Sequence, residues 1–190
     1  AEKHGFSYAN TDYHELVKDK NIDLVVIATR HNLHAEMAIQ VLKADKNVHV
    51  EKPLALTQKE LKEVIEAERN SDGRLLVGFN RRFAPQVENV KDEFSNSSTP
   101  LMVNYRVNAG YIEPDHWIHD PDEGGGRIIG EVCHFVDLIQ HLVDARPEKV
   151  YATRLPPGGE VLLDDNVSIN IDLSNGSRGN IIYTAFGDKS

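Results

Sequence analysis

The stretch 23–53 opens Asp23-Leu-Val-Val-Ile-Ala-Thr-Arg-His-Asn-Leu-His34 and closes Asn47-Val-His-Val-Glu-Lys-Pro53. It reads as a buried strand, a short polar crossing, a helix, and a second strand that ends on Lys52. In an open parallel sheet, ligands bind beyond the carboxyl ends of the strands. A lysine delivered there can pass a proton to or from a bound substrate. No Gly-rich dinucleotide fingerprint precedes this unit, so the sequence reads as the middle of an enzyme rather than a whole one.

Outward from this stretch, helix and strand alternate. Asp12 and Glu15 have capping-box spacing and predict a short helix to about Lys20. The segment Ile22–Ala28, apolar but for Asp23, predicts a strand covered on both faces. Ala35, Ala38, Ile39 and Leu42 recur at helical spacing, and Asn47–Val50 returns as a strand. Thr57 with Glu60 predicts a capped helix running to about Asn70, before a strand over Leu75–Phe79. Strands joined by helical crossovers imply a parallel sheet with right-handed connections.

The pattern then changes. A helix near Gln86–Phe94 and a Ser/Asn-rich turn at 95–99 lead into strict alternation, with Leu101, Val103, Tyr105 and Val107 facing one way. Val167, Ile169, Ile171 and Leu173 repeat it, and Ser174-Asn-Gly-Ser177 turns into a further strand over Asn180–Phe186. Lys149–Leu155 is a fourth candidate strand. These segments predict an antiparallel sheet covered by a helix over 131–143. The fold class is thus α/β plus α+β: a partial parallel sheet over residues 1–83, then an open antiparallel sheet over 84–190, covered by helices.

Composition narrows the functional classes. The chain has 190 residues, 40% hydrophobic, with a net charge of -9, which argues against a nucleic-acid backbone as partner. The single cysteine, Cys133, cannot form an internal disulfide and suits a reducing compartment, so the cytoplasm is the expected location. No apolar run approaches the roughly 20 residues of a membrane span. The nine histidines form no H-E-x-x-H and no C-x-x-C exists. His31/His34 and His116/His119 are lone pairs, so no metal site is expected.

One helix carries chemistry on one side and core on the other. Val132, Phe135, Val136, Ile139, Leu142 and Val143 share a face, while His134, Asp137 and His141 share the opposite one, with Glu131 nearer its edge. A polar face ordinarily meets solvent. Here Gly124-Gly125-Gly126 lies just upstream, where open amides at a helix start would attract a polar or anionic ligand. Tyr111, His116, Trp117 and Arg127 lie in the loop leading to this helix and are expected, with Glu131 and His134, to contact a substrate. Trp117 is as readily a core anchor.

Together, Ile22–His34, Val48–Leu54 with its Glu51-Lys52-Pro53 motif, Val77–Phe83 and Gly124–Leu142 resemble the Gfo/Idh/MocA family of nicotinamide-dependent sugar and cyclitol oxidoreductases. The resemblance implies a Rossmann domain lacking its first strand, Gly-rich loop and next strand, followed by an α+β domain whose sheet mediates homo-oligomerisation. The segments Phe79–Phe83 and His119–His134 look like a subset in which this module follows a zinc-dependent alcohol-dehydrogenase-like region. By matching position, Lys52 is similar to the family's catalytic lysine and His134 to the histidine that hydrogen-bonds the reacting hydroxyl. Thr29, Arg30, Asn32 and His34, with Glu51, Lys52, Pro53 and Arg82, match segments near an NAD or NADP cofactor. Asn80 lies at the same strand end as Arg82.

One position departs from the family. Many members carry an acid four residues before the histidine, where this chain has Gly130; Glu131 is displaced from it by about 100° around a helix. The resemblance implies hydride transfer between NAD(P) and a secondary alcohol of a sugar, sugar-nucleotide or cyclitol. The competing expectation is a non-catalytic sugar-binding or regulatory module of the same fold.

Overall fold

Three short parallel strands carry the first unit: β1 (Leu24–Ile27), β2 (Asn47–Val50) and β3 (Leu75–Val77), in that spatial order. The computed structural model describes residues 2–95, 97–156, 158 and 165–186, so Asn96 of the 95–99 turn lies outside the described residues. A short helix, α1 (Tyr13–Lys18), precedes β1, with the Asp12 side chain accepting from the His14 amide. Helix α2 (His34–Lys43) links β1 to β2, and α3 (Gln58–Arg69) links β2 to β3. The capping box on α3 is closed from both sides: Thr57 accepts from the Glu60 amide and Glu60 accepts from the Thr57 amide.

Two successive crossovers of the same hand and direction lay α2 and α3 on one face of the sheet. Ala35, Ala38, Val41 and Leu42 of α2 and Val64 of α3 pack there with Ile27, Val48 and Val50. Among the described residues, neither α2 nor α3 covers the other face. Leu24, Val26 and Leu76 point to it and are 54%, 63% and 56% exposed. The expectation of a strand covered on both faces is therefore corrected: β1 is covered on one, because both helices fall on the same side.

The chain divides between Gly78 and Phe79. The segment 79–83, assigned to the first domain by sequence, groups with the second unit. There a 3-10 turn (Asn80–Phe83) runs into α4 (Pro85–Phe94), and four strands follow: β4 (Met102–Asn108), β5 (Pro147–Arg154), β6 (Val167–Leu173) and β7 (Arg178–Thr184). The order is β4-β7-β6-β5. Strands β5, β6 and β7 form an antiparallel meander, but β4 pairs with β7 in parallel. The sheet is mixed rather than wholly antiparallel. The reason is the connection: β4 and β5 run in the same direction at opposite edges, which requires a long crossover.

That crossover contains α5 (Cys133–Val143), entered through a π-helical turn at Ile128–Val132. Val132, Phe135, Ile139 and Val143 press onto Val167, Ile169, Ile171, Leu173, Ile181 and Tyr183. Gly179 allows a close approach, since a Cβ there would lie 3.0 Å from Ile139 Cγ2. Along β4 and the residue before it the expected alternation holds, with Leu101, Val103, Tyr105 and Val107 against the core and Met102 89% exposed.

Candidate active-site segments

Strands β1 and β2 are parallel and in register, so the loops that follow them leave from one edge of the sheet. The ladder continues one step past the strands, the Glu51 amide donating to the Ile27 carbonyl at 2.9 Å. Lys52 comes next and is half-buried; the Lys52–Pro53 peptide is cis and Pro53 is buried. From the β1 loop, Thr29, Arg30 and Asn32 are exposed at the same edge. Thr29 Oγ1 lies 3.3 Å from the Arg30 carbonyl oxygen. Glu51 is half-buried, and its carboxylate flanks Gly78, where a Cβ would lie 3.1 Å from Oε2.

His34 behaves differently from its neighbours. Its ring is 1% exposed, with Nδ1 2.7 Å from the Pro53 carbonyl oxygen and Nε2 3.1 Å from the Thr29 carbonyl oxygen. The side chain is committed to the backbone of both loops rather than presented at the edge.

In the second unit the polar face of α5 is covered, not solvated. His134 and Asp137 are 6% and 7% exposed. The segment 79–94 supplies the cover residue by residue. Phe79 meets the His134 ring edge-on, centroids 6.0 Å apart, and Arg82 forks onto the Asp137 carboxylate. Further along, Lys91 Nζ lies 3.3 Å from His141 Nδ1. Partial burial lowers the His141 pKa from its usual range, and the charges of Lys91 and Arg82 lower it further. Arg81 also folds back, its guanidinium 4.9 Å from the Phe135 ring centroid. Asn80 is exposed at the start of this segment.

The loop before α5 is closed in a way the sequence did not indicate. The amides of Gly124 and Gly125 both donate to the Asp120 carbonyl at 2.9 Å, so these two are not open donors for a ligand. Arg127 is 1% exposed and turned inward. It donates to the Gly110 carbonyl at 2.8 Å and to Glu131 Oε2 at 3.4 Å, and its guanidinium lies 5.4 Å from the Tyr183 ring centroid. Arg127, expected at the substrate, is thus engaged as an internal brace.

Glu131 accepts from the Tyr183 hydroxyl as well. Burial raises the Tyr183 pKa far above its ordinary value, and the Glu131 carboxylate adds to this. Glu131 therefore stands in a closed triad with Arg127 and Tyr183, beside the buried Gly130. Of the remaining expected contacts, Tyr111 is 52% exposed and Trp117 is half-buried. His116 is exposed, lies tilted beside Trp117 with ring centroids 5.6 Å apart, and caps the turn by accepting from the Ile118 amide. Among the described residues, no group of three or more His, Cys, Asp or Glu side chains is placed to hold a metal ion.

Two family profiles cover most of the chain. Residues 1–79 match "Oxidoreductase family, NAD-binding Rossmann fold", and residues 98–188 match "GFO/IDH/MocA C-terminal domain". The chain belongs to the Gfo/Idh/MocA family. Among its relatives, a myo-inositol 2-dehydrogenase of Thermotoga maritima is 30% identical over 168 residues, covering 87% of this chain and 48% of that protein. A levoglucosan dehydrogenase of Pseudarthrobacter phenanthrenivorans is 27% identical, covering 97% of this chain and 55% of its own length. A levoglucosan dehydrogenase solved with NADH and levoglucosan superposes with a TM-score of 0.85 at 28% identity, over 100% of this chain and 55% of that one. The chain spans about half the length of the curated relatives it matches.

Proposed function

We propose that the protein to which this chain belongs is an NAD- or NADP-dependent dehydrogenase acting on a secondary alcohol of a sugar or cyclitol. The observation that carries this reading is the Glu51-Lys52-Pro53 segment at the carboxyl end of β2, in a family whose named relatives oxidise inositol and levoglucosan.

The fit to a dinucleotide is physical. A parallel-sheet edge with exposed Thr29, Arg30 and Asn32 is the kind of surface along which nicotinamide cofactors lie. Bound nicotinamide supplies the hydride acceptor or donor. The chain's own groups then handle the alcohol. On this reading Lys52 would take the hydroxyl proton during oxidation and return it in reduction, and His134 would hydrogen-bond the hydroxyl. Tyr111, His116 and Trp117 contribute surface for the polyol ring.

The full-length protein should reduce NAD or NADP in the presence of inositols, levoglucosan or related polyols, followed at 340 nm. Lys52→Ala should lose most turnover while its circular dichroism stays unchanged. Near-wild-type rates would sink the assignment of Lys52.

A second reading, a non-catalytic polyol-binding module, draws on one observation. Gly130 stands where many family members have an acid, and the adjacent Glu131 is engaged by Tyr183 and Arg127. Polyol binding without any cofactor turnover would favour it. For assembly, the outer face of the second sheet, with Met102 and Tyr151 exposed, is the proposed contact between copies. Light scattering tests it. A single cysteine, Cys133, outside any disulfide suits a cytoplasmic setting, which completes the proposal.

A further inference from the structure

The backbone ladder joining β1 to β2 makes its last rung where Glu51 N–H donates to the Ile27 carbonyl. Two residues further along each strand, the loops reach Thr29 and Pro53. There the His34 ring stands between them, with Nε2 3.1 Å from the Thr29 oxygen and Nδ1 2.7 Å from the Pro53 oxygen. A carbonyl cannot donate to another carbonyl, so parallel chains leaving a sheet with two oxygens facing inward need a donor between them. An imidazole supplies one N–H when neutral and two when protonated.

The consequence falls on Lys52. It is held between the Glu51 rung on one side and the Pro53 anchor on the other, so its Cα sits on a segment fixed at both ends. His34 is itself well held: it opens α2, is 1% exposed, and lies against the buried His31 with ring centroids 5.7 Å apart. A ring whose only task was to fill the core would not need both nitrogens aimed at carbonyls from two separate loops.

We infer that His34 is a positioning residue for Lys52, replacing the next rung of the sheet with its side chain and so setting the direction of the lysine. This rests on the reading of Lys52 as the group that handles the substrate proton. His34 itself touches neither substrate nor cofactor in this role.

Two variants of the full-length protein separate the outcomes. His34→Phe keeps a ring but removes both nitrogens; His34→Gln keeps one side-chain donor. Each is followed by kcat and KM, and by the acetylation rate of Lys52 relative to exposed Lys59, measured by mass spectrometry at one pH. His34→Phe should lower kcat about 10- to 100-fold, the scale of a misplaced catalytic group, with KM for the polyol changed less. It should also change the Lys52/Lys59 labelling ratio at least about twofold, and His34→Gln should recover part of both effects.

A folded His34→Phe protein with wild-type kcat and an unchanged labelling ratio would overturn the inference. If the Phe variant does not fold, His34→Gln decides: wild-type kcat and labelling with half the contacts removed would overturn it, and intermediate values support it. The reading of Lys52 fails separately. Activity retained in Lys52→Ala would remove that reading, while the labelling ratio would still report whether His34 directs the lysine.

Discussion

Arg82 holds Asp137 through both ends of its guanidinium fork, Nε donating to Oδ2 at 3.0 Å and Nη2 to Oδ1, across 55 residues of sequence. The pair ties the segment after Gly78 to the helix that carries His134. Asp137 is nearly enclosed, its side chain 9% exposed, whereas that of Arg82 is 34% exposed. Asp137→Ala should therefore lower the unfolding free energy by about 1–3 kcal/mol, towards the low end because solvent screens Arg82. Urea unfolding checks this; a loss under about 0.5 kcal/mol would mean the pair contributes no more than an ordinary surface contact.

Tyr183 should give the protein an alkaline liability. Burial, then the hydrogen bond and charge of Glu131, hold its phenol protonated in the fold well above the usual pKa of about 10. The unfolded chain ionises near that pH and the folded one does not, so the contribution of Tyr183 to stability is complete below pH about 10 and is lost as pH rises beyond it. Tyr183→Phe should make the fall in unfolding free energy above pH about 10 shallower, by up to about 1.4 kcal/mol per pH unit. Parallel slopes for the two proteins would show that Tyr183 ionises within the fold.

His141 offers the opposite sign. Partial burial, Lys91 and Arg82 lower its pKa in the fold, outweighing Asp137 and Asp144, which raise it. The unfolded chain takes a proton near pH about 6.5 while the folded one resists, so this contribution is present above that pH and is lost as pH falls through the folded pKa. Lys91→Met should raise the midpoint of the His141 ring in an NMR titration and soften the acid-side loss. An unmoved midpoint would show that Lys91 does not act on the ring.

Gly124 is required by contact rather than by backbone angle. A Cβ there would fall 2.4 Å from Ile118 Cα and 2.5 Å from its carbonyl oxygen, both main-chain atoms that cannot turn aside. Gly124→Ala should cost about 1–3 kcal/mol. At Gly126, with φ +80° and nothing within 4 Å of a Cβ, alanine meets only the backbone term of about 1–2 kcal/mol. Thermal melts of the two variants should rank Gly124→Ala as the worse.

What could be read from sequence follows from the distance over which each feature is decided. The Thr57–Glu60 cap and the strand Asn47–Val50 depend on neighbours within a few residues, and both stand as read. The alternating faces of β4 and β6 are similarly local. The direction of β4 beside β7 is a property of the connection, which no strand encodes by itself. What covers the polar face of α5 is not legible locally, because the cover comes from residues 79–94, some 50 positions upstream. The burial of Arg127 is not legible locally, because arginine is ordinarily exposed. Its burial depends on the Gly110 carbonyl, Glu131 and Tyr183 converging from three places in the chain. The resemblance places His34 in a segment near the cofactor, but nothing near it in the sequence marks the Thr29 and Pro53 carbonyls as its partners.

The side of the first sheet that α2 and α3 leave uncovered makes its behaviour a matter of mass action. Leu24, Val26 and Leu76 form an apolar stripe that water does not favour, and any surface able to cover it gains free energy in proportion to the area hidden. The chain should thus be sensitive to dilution, binding hydrophobic dyes at low concentration and shedding them as copies meet. Whatever sequence or subunit seals that stripe acts on the unit as a ligand does, adding to its stability by the logarithm of its own effective concentration.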